Sequence, residues 1–129
     1  MVFLVIAILA MPAAAQAASE VVATGKFESR SGHRVSGGVA VLKSDGRYMV
    51  VLGSDFRFDG APDPRLGFGK SGYDASTQFS ALRSNSGKQT YSIYGSIKPS
   101  EYDEVWVWCE EFDVPLGVAH LKPPSPQGG

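Results

Sequence analysis

The clearest alternation of apolar and polar positions lies near the C-terminus. Val105, Val107 and Cys109 fall on one face at period two, and Trp106 and Trp108 fall on the other. Val114 to Leu121 follows after a short bend, so the stretch reads as two consecutive strands. Val35, Val39 and Val41 form a second alternating set, and Gly37-Gly38 within it predicts a bulge or a close backbone approach. Tyr48, Val50 and Leu52 alternate with Met49 and Val51, which predicts a central strand covered on both faces. Ser44-Asp45-Gly46 signals a hairpin between Val39–Lys43 and Arg47–Leu52, and Asn85-Ser86-Gly87 another between Phe79–Leu82 and Tyr91–Tyr94. Asp55–Phe58 and Arg65–Phe68 read as short strands, separated by a rigid loop with Pro62 and Pro64. No segment carries a sustained helical period. The spacing predicts an all-β protein, an antiparallel β-sandwich or barrel of about eight short strands, in one domain over residues 20–122.

The ends of the chain read differently. Residues 2–11 are an unbroken apolar run, and Ala15-Gln16-Ala17 offers a small-x-small cleavage pattern. Residues 1–17 therefore read as a signal peptide, which places the mature domain in the periplasm or outside the cell, with no membrane attachment after cleavage. The run is shorter than the ~20 residues that span a bilayer. No Lys or Arg precedes it, which leaves open a start further upstream. Residues 123–129 read as a disordered Pro/Gly-rich tail.

Composition narrows the chemistry. The net charge of −1 carries no basic excess, so nothing points to nucleic acid. Gly69-Lys70-Ser71 resembles the end of a phosphate-binding loop, but Pro64 stands where the first glycine belongs and no helix is predicted to follow. Asp55, Asp59 and Asp63 lack the alternate-position oxygens of a calcium loop. The single cysteine excludes an internal disulfide and leaves an unpaired thiol in an oxidising compartment. Three readings of Cys109 stay open: a small hydrophobe in the core, a redox or soft metal-ligating thiol, or half of an intermolecular disulfide. His33, which opens a strand, and His120, on the face shared with Val118, are the residues that would complete a metal site with Cys109 for copper or haem iron. Trp106 and Trp108 read as packing residues or, if exposed together, as a ligand platform.

Three separated blocks carry a family resemblance. Tyr102-Asp103-x-Val105-x-Val107-Trp108-Cys109, with Phe112, Val114, Gly117, Ala119 and Leu121, resembles the C-terminal signature of the electron-transfer DM-thirteen domain. Gly25-x-Phe27 and His33-x-Val35-Ser36-Gly37-x-Val39 match its start, and Asp55-Phe56 and Gly60-x-Pro62-Asp63 its middle. The resemblance spans about residues 23–122. It implies a small extracellular or periplasmic β-sandwich of a kind found alone in bacteria and beside DOMON-type haem domains in animals and plants. It further implies that Cys109 matches a near-invariant cysteine suggested as a redox centre. The chain has no Cys-x-x-Cys-His for covalent haem, so electron transfer implies a noncovalent cofactor such as haem or copper, or a redox partner protein. The sequence thus leads to an exported domain with a redox role centred on Cys109. The competing expectations are an interaction module in which Cys109 is structural, and metal binding through Cys109, His33 and His120.

Overall fold

Ten strands and two short 3-10 turns carry the chain from Glu20 to His120 in the computed structural model, which describes residues 1–10 and 18–125. The strands are β1 (Glu20–Ser29), β2 (Val35–Ser36), β3 (Gly38–Ser44), β4 (Arg47–Leu52), β5 (Arg57–Phe58) and β6 (Pro64–Gly69), then β7 (Ser80–Ala81), β8 (Gln89–Ser92), β9 (Glu104–Cys109) and β10 (Val114–His120). Single 3-10 turns stand at Ala75–Thr77 and Pro99–Glu101. The cleavage pattern at Ala15-Gln16-Ala17 and the tail beyond Ser125 lie outside the described residues. Among the described residues, no helix is long and apolar enough to cross a membrane.

The predicted all-β antiparallel class holds, and the arrangement is one sheet ordered β7-β6-β9-β10-β1-β3-β4-β8 that curls nearly into a barrel. The longest strand makes this continuity. β1 pairs with β3 through Glu20–Lys26, then with β10 through Phe27–Ser29. Its two halves thereby join what alternation alone would leave as two sheets. The inward face is apolar throughout: Phe27, Val39, Val41, Val50, Leu52, Leu66, Phe68, Tyr91, Val105 and Val107 are all buried in one cluster. The small ribbon β2–β5 packs Val35 and Phe58 against the same core.

Two expectations need correction. Asn85-Ser86-Gly87 does not turn a ladder hairpin, because β7 pairs with β6 and β8 with β4, at opposite ends of the sheet. The connecting loop instead crosses the seam of the near-barrel, and side chains close it. Tyr91 Oη donates to Gln89 Oε1 at 2.5 Å, and Gln89 Oε1 and Nε2 bond the backbone of Ser84 at 3.1 and 2.9 Å. The loop also pairs its backbone with the β5 region, through Phe58 N to Asn85 O and Gly87 N to Phe56 O. Second, β4 is covered on one face only: Val50 and Leu52 are fully buried, whereas Met49 and Val51 are half-buried on the outer surface.

The β3–β4 hairpin forms as predicted, with Asp45 and Gly46 both at positive φ. Gly37 makes the predicted close approach: its φ is +102°, and a Cβ there would stand 2.6 Å from the Phe56 Cα. Gly46 has positive φ but open space around it. Gly46→Ala should therefore cost about 1 kcal/mol, for backbone strain alone. Gly37→Ala should cost roughly 3 kcal/mol or more, because a backbone clash adds to the strain. Urea denaturation of the two variants checks this, and equal costs would refute the close-approach argument.

Candidate functional site

β9 is paired along its whole length on both sides, with β6 from Pro64↔Cys109 to Gly69↔Glu104 and with β10 from Val114↔Cys109 to His120↔Glu104. Such a strand cannot rotate, so the period-two alternation fixes what faces inward and what faces outward. Cys109 is its last residue and points inward, between Val114 and Pro64, with 1% of its surface exposed. The residues that follow, Glu110–Asp113, form an exposed turn whose last residue, Asp113, sits at φ 51°. Glu110 N donates to Asp63 O at 3.0 Å and ties this turn to the start of β6. The thiol is thus part of the core but only one residue from the surface.

The outward face of β9 carries the second group of residues. Trp106 and Trp108 are half-buried there, with ring centroids 6.1 Å apart and planes at 76°. Trp106 stands opposite Val118 of β10, which is fully buried. The loop after β6 folds back over this face and stacks Tyr73 on Trp108 at 4.5 Å and 14°. Glycines on β6 make the room: a Cβ at Gly67 would lie 2.7 Å from the Tyr73 ring, and one at Gly69 2.6 Å from the Trp106 Nε1. Each indole N–H donates to a carboxylate, Trp106 to Glu104 at 3.2 Å and Trp108 to Asp113 at 3.1 Å. Glu104 is only 6% exposed and also accepts from Gly72 N at 2.9 Å. Arg65, opposite Trp108 on β6, pairs with Asp63 at 2.8 Å, and that pairing raises its pKa further.

The structure does not bring the three sequence-predicted metal ligands into one site. His120 stands outside at the Glu104 end of β9, with its Nδ1 3.6 Å from Glu104 and its Nε2 3.7 Å from Glu28. Cys109 is five residues along the same strand, about 17 Å away at ~3.3 Å per residue, and on the opposite face. His33 lies in the loop before β2, bonded to Asp59 at 3.2 Å and packed against Phe58. Among the described residues no three His, Cys, Asp or Glu side chains are grouped to hold a metal ion. Cys109, His33 and His120 therefore do not converge on one metal ion. Periodicity found Cys109 and the tryptophans but missed Tyr73 and Glu104. A loop tyrosine has no period, and the available signal was the Gly-x-Gly of β6, which marks a close approach.

Burial, and then the negative charge of Glu110, raise the Tyr73 pKa above its ordinary value of 10.0. Among the described residues its buried hydroxyl makes no well-formed hydrogen bond, and the Gln78 side chain beside it opposes the rise. A phenol whose pKa is raised in the folded state contributes stability that is full below the unfolded pKa and is lost as pH rises through the folded one. In an alkaline spectrophotometric titration, Tyr73→Phe should remove one phenol that ionises above the ordinary range. It should also flatten the alkaline loss of stability. An unchanged titration curve would show that Tyr73 is not held as described.

Comparison with known families matches the chain to the family described as Electron transfer DM13 over residues 26–121. No curated protein and no solved structure matches the chain. The match covers β1 from Lys26 through the C-terminal end of β10, and so includes Cys109, both tryptophans and the loop that bears Tyr73. The chain belongs to the Electron transfer DM13 family.

Proposed function

We propose that this chain is an exported electron-transfer domain that exchanges electrons with a partner protein, with Cys109 as its redox residue. Family membership supports the electron-transfer role. The observation that carries the role of Cys109 is its place at the end of β9, sealed by a single exposed turn. Opening that turn alone would bring the sulfur to solvent while the core stays folded, since local openings cost less than global unfolding. Export is supported by the apolar run at residues 2–11. No metal is assigned to Cys109, and the electron acceptor or donor is a cofactor carried by the partner. A second reading, an interaction module without chemistry, is favoured by the membership of Cys109 in the apolar core cluster.

Thiol modification separates the two. If Cys109 is reached through the turn, a small thiol reagent should label the native protein slowly, at a rate insensitive to low urea. Cys109→Ala should then abolish electron exchange at a stability cost of about 1 kcal/mol. Labelling that occurs only after global unfolding, with electron exchange retained in Cys109→Ala, would reject the redox role and leave the module.

A further inference from the structure

Cys109 accounts for only the inward side of β9. On the outward side the indole rings are 6.1 Å apart, and each indole N–H is hydrogen-bonded to a carboxylate. Packing alone explains why Trp106 covers Val118, but it does not require an anionic acceptor at both ring nitrogens. A ligand platform fits poorly as well, because Tyr73 already occupies a face of Trp108. A carboxylate at an indole N–H suits a different chemistry. Oxidation of indole by one electron makes its N–H strongly acidic, and an aligned acceptor can take the proton in the same step.

We propose that Trp106 and Trp108 form a one-electron relay along the outer face of β9, with Glu104 and Asp113 as the proton acceptors. The proposal deepens the electron-transfer reading and rests on it. A one-electron oxidant, a high-potential metal centre on a partner protein, takes an electron from one indole and is reduced by one unit. The indole proton moves to the bonded carboxylate, which leaves a neutral tryptophanyl radical and a carboxylic acid. An electron then passes from the second indole to the first. The first regains its proton from its own acid, and the second gives its proton to its own carboxylate. A one-electron reductant, a reduced metal centre on a partner, refills the second indole, and that proton returns from its carboxylic acid. One electron has then crossed from reductant to oxidant, with no net proton released.

The surroundings fit this division of labour. Gly72 N fixes the Glu104 carboxylate at 2.9 Å, and half-exposed His120 lies 3.6 Å from its other oxygen. Tyr73 is a positioning residue and not a carrier. Among the described residues no carboxylate is hydrogen-bonded to its hydroxyl to take the proton that phenol oxidation would release. Its ring shields a face of Trp108.

The test is flash-quench oxidation of the full chain with photogenerated ruthenium(III) tris(bipyridine), read by the visible absorption of the neutral tryptophanyl radical. The chain has only two tryptophans, so the signal reports this face alone. The radical should form in the native protein, survive in either single Trp→Phe variant and vanish in W106F/W108F. In the W108F background, Glu104→Gln should slow indole deprotonation on the order of 100-fold, and Asp113→Asn should do the same in the W106F background. Asp113 is on the exposed turn, so its variant carries the test if Glu104→Gln fails to fold. Tyr73→Phe should leave the tryptophanyl signal unchanged. Deprotonation as fast in D113N as in its parent, or a dominant tyrosyl radical that Tyr73→Phe removes, would overturn the relay. Cys109→Ala should leave the flash signal intact. If that variant also keeps electron exchange with a partner, the Cys109 reading fails while the relay stands.

Discussion

Everything at the candidate site depends on β9 being hydrogen-bonded on both sides along its whole length. A strand held by β6 and β10 together has no freedom of register or rotation. Val105, Val107 and Cys109 must then point into the core, and Trp106 and Trp108 must point out. The buried thiol and the paired indoles are two consequences of one alternation. They lie within three residues of each other in sequence and on opposite faces of one sheet.

The outer face becomes a site only because other parts of the chain yield to it. β6 carries glycine at positions 67 and 69, where any side chain would meet Tyr73, Gly72 or Trp106. That omission weakens β6 as a strand. Complete pairing with β9 and the inward burial of Leu66 and Phe68 offset the loss. The loop from Lys70 to Thr77 gains a floor for Tyr73 and a backbone donor for Glu104. Asp74 anchors this loop. It accepts from the Ser76 N and Oγ at 3.0 and 2.6 Å, and these bonds lower its pKa.

Much of the inward half was legible in the sequence. The period-two runs set Val39 with Val41, Val50 with Leu52, and Val105 and Val107 with Cys109, and all of these are buried. Gly37-Gly38 announced the contact with Phe56, and Asp45-Gly46 the hairpin. The outward half was less legible. Its members come from separate elements: Glu104, Trp106 and Trp108 from β9, Tyr73 from a loop, Asp113 from a turn and His120 from β10. Period two links Glu104 to the tryptophans, but no spacing links them to Tyr73, Asp113 or His120. The Asn85-Ser86-Gly87 signal misled for a related reason. Turn chemistry reports local backbone bending, whereas ladder pairing depends on which strand edges are still free.

The sequence by itself determined the all-β class, the alternating sets, the β3–β4 hairpin and the family, because alternation and local turn residues are written at short range. Only the tertiary structure decided how the sheet closes, since that depends on β1 changing partners between β3 and β10. Only the tertiary structure separated His120 from Cys109, because β10 pairs antiparallel with β9 and sets His120 beside Glu104, at the other end of β9 from Cys109. And only long-range packing brought Tyr73 onto Trp108 and Gly72 N to Glu104, because contacts across a sheet face have no counterpart in the linear order of the residues.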